Sequence, residues 1–144
     1  MPLRVRVRGV FPRLPLLAVV GSRRPTRDAV SSLPWIIDAA VSSGWGVVSG
    51  GARGVDRLAH DECLCRRGLT LAVLGSGLSR LYPPEHADLL RRIIEHGGCL
   101  LSEYEDHAPP RPWRFPQRNR LISAFSDAVI VVQAAETSGG MVTA

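Results

Sequence analysis

The segment Val47–His60 (VVSGGARGVDRLAH) constrains the fold most, because it predicts a buried strand, a glycine-rich turn and a helix in direct succession. The strand ends abruptly at Ser49-Gly50-Gly51, and glycine lets a backbone approach a ligand closely. The first N–H groups of the following helix lack intrahelical partners and are suited to an anion. Arg53 lies inside the turn, where its guanidinium can bind phosphate through two hydrogen bonds. A turn that needs glycine only for its geometry explains the same residues, so both interpretations stay open.

The size and composition indicate one domain with a single buried core, expected over residues 1–144. The longest apolar run, Leu14–Val20, is strand-sized and well short of the roughly 20 residues that a membrane helix needs. No secretory signal pattern is found at the N-terminus. The three cysteines favour a reducing cytosol over a disulfide framework, so we expect a cytoplasmic protein.

The charge favours an anionic partner such as nucleic acid, because the formal net charge is +5 and the pI is near 10.0. All 18 basic residues are arginine, and the chain has no lysine. A genome biased towards arginine codons explains this usage too. Arginine is nevertheless the better residue for binding phosphate and for stacking on bases.

Strand-sized apolar runs alternate with amphipathic stretches, which predicts an α/β fold with an open, mainly parallel sheet and helices on both faces. We expect strands near 3–8, 16–21, 45–49, 69–74, 99–102 and 128–133. The first alternates leucine and valine with arginine and is expected at a sheet edge. Ligands of such folds bind at the carboxyl ends of the strands. Three loops with small residues and hydroxyls fall there: Gly21–Arg23, Ser49–Gly54 and Ser138–Gly140.

The first helix carries an apolar stripe from Val30 to Val41, but Pro34 interrupts it. Either the helix begins near Ser31–Ser32 with the proline in its first turn, or it kinks at the proline. Thr26 or Ser32 can supply the N-terminal cap. Further helices are predicted over Val55–Arg67, around the apolar residues 89–94, and from Pro116 through Ser123–Phe125.

Sequence motifs argue against a nicotinamide oxidoreductase or an ATPase. Gly75-Ser76-Gly77 lacks the third glycine of a dinucleotide fingerprint because Arg80 stands in its place. A phosphate-binding loop of the ATPase type requires a lysine, which the chain does not contain. We therefore expect no cofactor.

Two side-chain groups on the second helix raise chemical alternatives. His60, Cys63 and Cys65 suggest a metal, yet Cys65 points away from the other two and buried structural cysteines are favoured. Asp56 and His60 are one helical turn apart, so an acid–base pair is conceivable. A carboxylate that tethers the helix start and a histidine packed under the loop is the interpretation we favour.

The segment Phe115–Arg120 (FPQRNR) places Arg118 and Arg120 around Asn119 early in a helix. A cation is disfavoured there by the helix dipole unless an anion lies between the side chains. Solvated arginines are the alternative, and we favour the anion-binding interpretation. Phe115 either offers a stacking face for a base or belongs to the core.

Taken together, the segments VVGSRRPT, SGGARGVDRLAH, AVLGSGLSRLYP, LLSEY, FPQRNRLISAFSDAVIVVQA and SGGMVTA resemble the DNA-processing protein A family (DprA, also called Smf). The resemblance runs in order from about Leu3 to Ala144. It implies an extended Rossmann fold that binds single-stranded DNA without catalysing a reaction. It also implies that the protein shields incoming strands during natural transformation and helps to load the RecA recombinase.

The resemblance implies a phosphate pocket with no catalytic or metal-binding residue. It is expected to comprise residues from all three strand-end loops and the FPQRNR helix: Gly21, Ser22, Arg23, Ser49, Gly50, Arg53, Gly54, Arg118, Asn119, Arg120, Ser138 and Gly139.

The sequence departs from the family pattern near its end, where the turn reads Ser138-Gly139-Gly140-Met141 instead of carrying a second serine and a leucine. Family members also continue through a full helix and a further strand. We expect this chain to lack that distal part, which would leave the apolar strand Val129–Val132 uncovered. A second copy of the chain is expected to cover it, giving a homodimer or larger assembly.

Two other functions remain as alternatives. Phosphoribohydrolases of the lysine-decarboxylase-like group share the superfamily and cleave nucleoside monophosphates, using a glutamate after a P-G-G-x-G-T motif. This chain reads SGGMVTA there, so a hydrolase would have to recruit Asp56 or Glu103. A nucleotide-sensing module is the third possibility, since the same pocket can hold a signalling nucleotide.

Overall fold

The computed structural model describes residues 4–133, which form one six-stranded sheet with helices on both faces. The strands are β1 (Arg6–Gly9), β2 (Leu16–Gly21), β3 (Gly46–Ser49), β4 (Thr70–Val73), β5 (Cys99–Ser102) and β6 (Ala128–Val132). The helices are α1 (Arg27–Ser42), α2 (Val55–Cys65), α3 (Ala87–Glu95) and α4 (Arg114–Ala124), and a 3₁₀ turn at Pro84–His86 precedes α3. All six predicted strands are confirmed: 16–21 and 99–102 match at both ends, and the ends of the other four shift by at most three residues.

The spatial order of the strands is β1-β5-β4-β3-β2-β6, and every neighbouring pair except β1 and β5 is parallel. The predicted parallel α/β class and the edge position of the first strand are therefore confirmed. The chain moves outward from β2 through β3 and β4 to β5, and then returns to the other side of β2 at β6. The strand order thus reverses beside β2, where open α/β sheets form a ligand crevice.

The two faces of the sheet bury separate apolar layers, because alternate residues of each strand point to opposite faces. Helices α1 and α2 cover one face, where Ile37 and Ala59 pack against Val19 and Val47. Helix α4 covers the other face through Leu121 and Ile122. This arrangement holds α4 against the sheet and delivers its first turn to the carboxyl ends of the strands.

Helix α1 begins at Arg27, and its N-cap is Thr26, whose Oγ1 accepts a hydrogen bond from Ala29 N at 3.3 Å. The alternative start near Ser31–Ser32 is wrong, because Pro34 lies in the interior of the helix. Helix α2 ends at Cys65, two residues earlier than predicted, since Arg67 adopts a positive φ of 57°.

Strand β6 lies at the edge of the sheet in the described part of the chain. Asp127 fixes its register beside β2: Leu16 N donates to Asp127 Oδ2 at 2.9 Å, and Asp127 N donates to Leu16 O at 2.8 Å. Of the apolar residues Val129–Val132, only Val132 is buried. An edge position leaves the other residues partly open. None of the helices within residues 4–133 has the length and apolar content to cross a membrane.

Candidate functional site

The carboxyl ends of β2 and β3 bring the loops Gly21–Arg23 and Ser49–Gly54 into contact. Val55 N donates to Ser22 O at 3.0 Å, so the start of α2 is fastened to the first loop. Gly54 has a φ of 82°, and a Cβ at this position would lie 2.4 Å from Ser22 O. Glycine is required here by its conformation and by the close approach. The predicted convergence of these two loops is confirmed.

Four side chains from three segments hold the backbone of Gly50 and Gly51. Gly50 N donates to Asp56 Oδ2 at 3.1 Å, and Gly51 N donates to His60 Nε2 at 3.2 Å. The carbonyl groups are bound as well: Arg118 Nη1 donates to Gly50 O at 2.8 Å, and His86 Nδ1 donates to Gly51 O at 2.9 Å. The N–H groups of Gly50 and Gly51 are therefore already hydrogen bonded to protein side chains. An anion at this turn would have to bind through other groups.

Asp56 and His60 act as structural tethers, which confirms the interpretation favoured from the sequence. Both side chains are buried. Since His60 Nε2 accepts from Gly51, Nδ1 carries the proton and donates to Thr70 Oγ1 at 2.7 Å. Burial lowers the pKa of His60 to about 3, which keeps the ring neutral. Burial also raises the pKa of Asp56, an effect that the nearby Arg118 guanidinium opposes.

Arg118 is 3% exposed and bridges two strand ends. Its Nη1 donates to Gly50 O and to Val73 O, at 2.8 Å and 2.9 Å, and its Nε donates to Asn119 Oδ1 at 2.9 Å. Burial lowers the pKa of this guanidinium, and Asp56 opposes the shift. The predicted anion-binding role of Arg118 stays a prediction, because these hydrogen bonds all go to protein groups. The side chain braces the glycine loop from below and lines the cleft above it.

Arg120 lies elsewhere on α4, because residues two positions apart are about 200° apart around a helix. Its Nη2 contacts Glu103 Oε2 at 2.5 Å, and it lines neither of the two clefts beside the glycine loop. The predicted convergence of Arg118 and Arg120 on one anion is wrong for this reason. Asn119 lines the cleft beside Arg118.

Arg23 and Arg53 are the exposed cations of the site, and each lies over an aromatic ring. The Arg23 guanidinium carbon is 5.6 Å from the centroid of Phe115, and that of Arg53 is 5.7 Å from the centroid of Tyr82. The two ring centroids are themselves 5.6 Å apart. Arg53 also binds Glu85, with 2.7 Å between Nη2 and Oε1. The main cleft is lined by Arg23, Gly50, Ala52, Arg53, Tyr82, Pro83, Phe115 and Arg118.

Two of the three predicted serines support the loops through their hydroxyl groups. Ser49 is fully buried, and its Oγ donates to Val19 O at 2.6 Å, so its predicted place in the phosphate pocket is wrong. Ser22 Oγ accepts from Arg24 N at 3.0 Å and shapes the turn before α1. Gly21 lines the smaller cleft beside Arg23. Ser138 and Gly139 lie outside the described residues.

Sequence reasoning missed Tyr82, Glu85 and His86. They flank Pro83 and Pro84, far along the chain from the glycine loop, and neither spacing nor periodicity connects them to it. Phe115 was expected either to offer a stacking face or to belong to the core. Its ring contacts the cleft arginines, since the guanidinium groups of Arg23 and Arg118 lie 5.6 Å and 5.5 Å from its centroid. Its ring organises the arginines of the cleft.

The residues suspected of binding a metal have other partners. Both ring nitrogens of His60 are hydrogen bonded, and Cys63 Sγ donates to Leu69 O at 3.4 Å. Cys65 is exposed, contrary to the expectation of a buried cysteine. Among residues 4–133, no group of three or more histidine, cysteine, aspartate or glutamate side chains is placed to hold a metal ion.

The fold and the cleft define the class of protein: a Rossmann-like α/β protein with an arginine-lined cleft at the point where the strand order reverses. Residues 2–144 match the model of the family described as DNA recombination-mediator protein A, and the chain belongs to that family.

The relatives are proteins named Smf and DprA. The Smf proteins of Synechocystis sp. and Escherichia coli are both 42% identical to the chain, over 92% and 89% of its length. The chain spans about a third of those relatives, 33% and 34% respectively.

Solved structures are similar over almost the whole chain. DNA processing protein A from Streptococcus pneumoniae gives a TM-score of 0.85 at 34% identity, covering 96% of this chain and 49% of that one. The protein from Helicobacter pylori, described as having a unique single-stranded DNA binding mode, gives 0.85 at 32% identity. There the coverage is 96% of this chain and 64% of the other.

The buried neutral His60 predicts a pH dependence of stability. Because its folded pKa lies below the unfolded value, the unfolded chain binds the proton first, and stability is lost as pH falls from about 6.5 towards about 3. We expect the difference in the free energy of unfolding between wild type and His60→Gln to shrink over that range, by up to about 1.4 kcal/mol per pH unit. Urea unfolding at several pH values measures this difference.

His96→Gln is the matched control, because His96 is exposed at the end of α3. If His60→Gln and His96→Gln show the same pH dependence, His60 is not the buried neutral tether described above.

Proposed function

We propose that the chain binds single-stranded DNA through the cleft between Arg23 and Arg53, and that it does so without catalysing a reaction. The observation that carries this proposal is the pair of exposed guanidinium groups, each set over an aromatic ring at the strand-order reversal. Family membership supports it, as does the similar structure from H. pylori.

The chemistry of the cleft suits a phosphodiester. Arg23 and Arg53 each present a planar set of donors, which matches phosphate oxygens, and the aromatic rings reduce the number of orientations open to each side chain. The buried Arg118 adds positive charge beneath them. The Arg53–Glu85 pair is half exposed, and such pairs contribute little to stability. A phosphate can therefore displace Glu85 at small cost.

The wider role follows from the family and is proposed on that basis. The chain would act in the cytoplasm, protect incoming single strands during natural transformation and recombination, and help to load RecA. The chain spans about a third of the length of its curated relatives. Of the parts of this role, the RecA contact therefore has the least support from the described residues.

A phosphoribohydrolase is less well supported by the geometry. The two acids it would recruit are already occupied: Asp56 is buried and accepts from Gly50 N, and Glu103 is paired with Arg120. The arginines of the cleft are organised for binding rather than for proton transfer. A nucleotide sensor differs from a strand binder in its dependence on ligand length.

We also propose that the chain forms a homodimer through the groove beside β6. This groove encloses about 360 Å³ between α1 and the sheet and is almost wholly apolar. Trp35 forms part of its wall and is 69% exposed, so it extends the contiguous apolar surface of the groove, the kind of surface that marks protein–protein contacts. A second copy of the chain is the occupant we propose.

Arg23→Ala and Arg53→Ala test the DNA-binding proposal. Each change is expected to weaken binding to all single-stranded sequences alike, because phosphate contacts carry no sequence information. Each should also lower the slope of log K against log[salt] by about 0.7 to 1. Fluorescence anisotropy of labelled oligonucleotides at several salt concentrations measures both effects.

Arg91→Ala is the matched control, because Arg91 lies on α3 among its own acidic partners, Asp88 and Glu95. Glu85→Gln is expected to have the opposite effect, because it releases Arg53 from its ion pair and should tighten DNA binding. An unchanged slope in both Arg23→Ala and Arg53→Ala would mean that neither residue contacts phosphate.

Sedimentation velocity at micromolar concentration tests the dimer. We expect a dimer for the wild type and a folded monomer for Trp35→Glu, because a carboxylate in the apolar groove opposes its burial. A wild type that sediments as a monomer at these concentrations would contradict the proposal.

A further inference from the structure

The described chain has one large aromatic side chain close to the cleft that neither the core nor the cleft uses. Trp113 is 59% exposed and is the N-cap residue of α4. Exposing so much apolar area costs free energy unless a ligand covers it for part of the time. Since most of the indole is outside the core, packing in the core does not explain why a tryptophan occupies this position.

The backbone around Trp113 is fixed although it follows a proline-rich loop. Arg114 Nη1 donates to Pro109 O at 2.5 Å, and Arg114 N donates to Arg111 O at 2.9 Å. The Arg114 guanidinium also lies over the ring of Tyr104, 4.7 Å from its centroid. Tyr104 in turn donates from its hydroxyl to Gln117 Oε1 at 2.7 Å. The indole is thus mounted on a braced turn.

Trp113 lies beside the cleft along the chain and along the helix. Phe115, two residues further on, lines the cleft and carries the Arg23 guanidinium over its ring. At a rise of 1.5 Å per residue, the two backbone positions are about 3 Å apart along the helix axis, and their side chains leave the helix about 200° apart. The indole therefore lies on the other side of the first turn of α4 from Phe115, where a strand that leaves the Arg23–Arg53 cleft across this turn would meet it.

We propose that Trp113 is a stacking subsite for a nucleobase of the strand whose phosphate occupies the Arg23–Arg53 cleft. This inference rests on the proposed DNA binding and extends it to the base. Stacking on an aromatic face tolerates any base, since every base has a π-face. The exposed Arg111 lies on the same braced turn and supplies positive charge for the neighbouring phosphate.

Phe11 provides a control, because it is an exposed aromatic residue that packs against Phe125, at the opposite end of α4 from Trp113. The variants are Trp113→Ala, Trp113→Phe and Phe11→Ala. Their affinities are measured for thymidine monophosphate and for an oligothymidylate of about twelve nucleotides. Circular dichroism and urea midpoints establish that each variant is folded.

For Trp113→Ala we expect the affinity for the oligonucleotide to fall about five-fold or more, while the affinity for the mononucleotide is unchanged. Trp113→Phe should recover most of the loss, and Phe11→Ala should bind as wild type does. Binding of the oligonucleotide should also quench tryptophan fluorescence, and this quenching should be lost in Trp113→Phe.

The outcomes separate this inference from the proposed function. Wild type that binds neither ligand would overturn both. Wild type that binds the oligonucleotide equally well without Trp113 would overturn the stacking subsite alone, leaving the indole as a surface for a protein partner. Equal losses for the mononucleotide and the oligonucleotide would place the effect in the cleft itself and would also overturn the subsite.

Discussion

The buried guanidinium of Arg118 is the interaction on which the site depends. It joins the carbonyl of Gly50, after β3, to that of Val73, at the end of β4, and so connects two strand ends with α4. Hydrogen bonds from a charged donor contribute about 1.5–3 kcal/mol each, which offsets the cost of removing this cation from water. Asp56 lies on the other side of Gly50, where a Cβ would stand 2.6 Å from Asp56 Oδ2 and 2.7 Å from the guanidinium carbon. The two opposite charges therefore enclose a position that only glycine can occupy.

This construction separates the rigid part of the site from the part that meets a ligand. The backbone of Gly50 and Gly51 is fully engaged by Asp56, His60, His86 and Arg118, and it cannot reorganise without breaking buried hydrogen bonds. In the proposed function, recognition is left to exposed side chains that stand on this base. Arg23 and Arg53 are each placed over a ring, and Arg53 would exchange its surface partner Glu85 for a phosphate. Preorganisation of this kind lowers the entropy lost on binding.

The sequence predicted the sheet, its parallel class and the convergence of two loops, because apolar periodicity and glycine turns are local signals. It was less successful with individual side chains. Arg118 and Ser49 were expected to contact an anion, but both are buried and bound to carbonyl groups, and burial of a polar side chain depends on tertiary packing. The start of α1 was ambiguous because the cap at Thr26 outweighs the penalty of an interior Pro34. Glu85 and His86 reach the site only through the fold, so no pattern in the sequence could have identified them.

A crystal structure of the chain with a short oligothymidylate tests most directly the claim that a rigid glycine loop supports two ligand-binding arginines. The account predicts phosphate oxygens within about 3.2 Å of the Arg23 and Arg53 guanidinium nitrogens. It also predicts that Gly50 N stays on Asp56 and that Gly51 N stays on His60. A phosphate bound directly to those two amides, with Asp56 and His60 displaced, would contradict it.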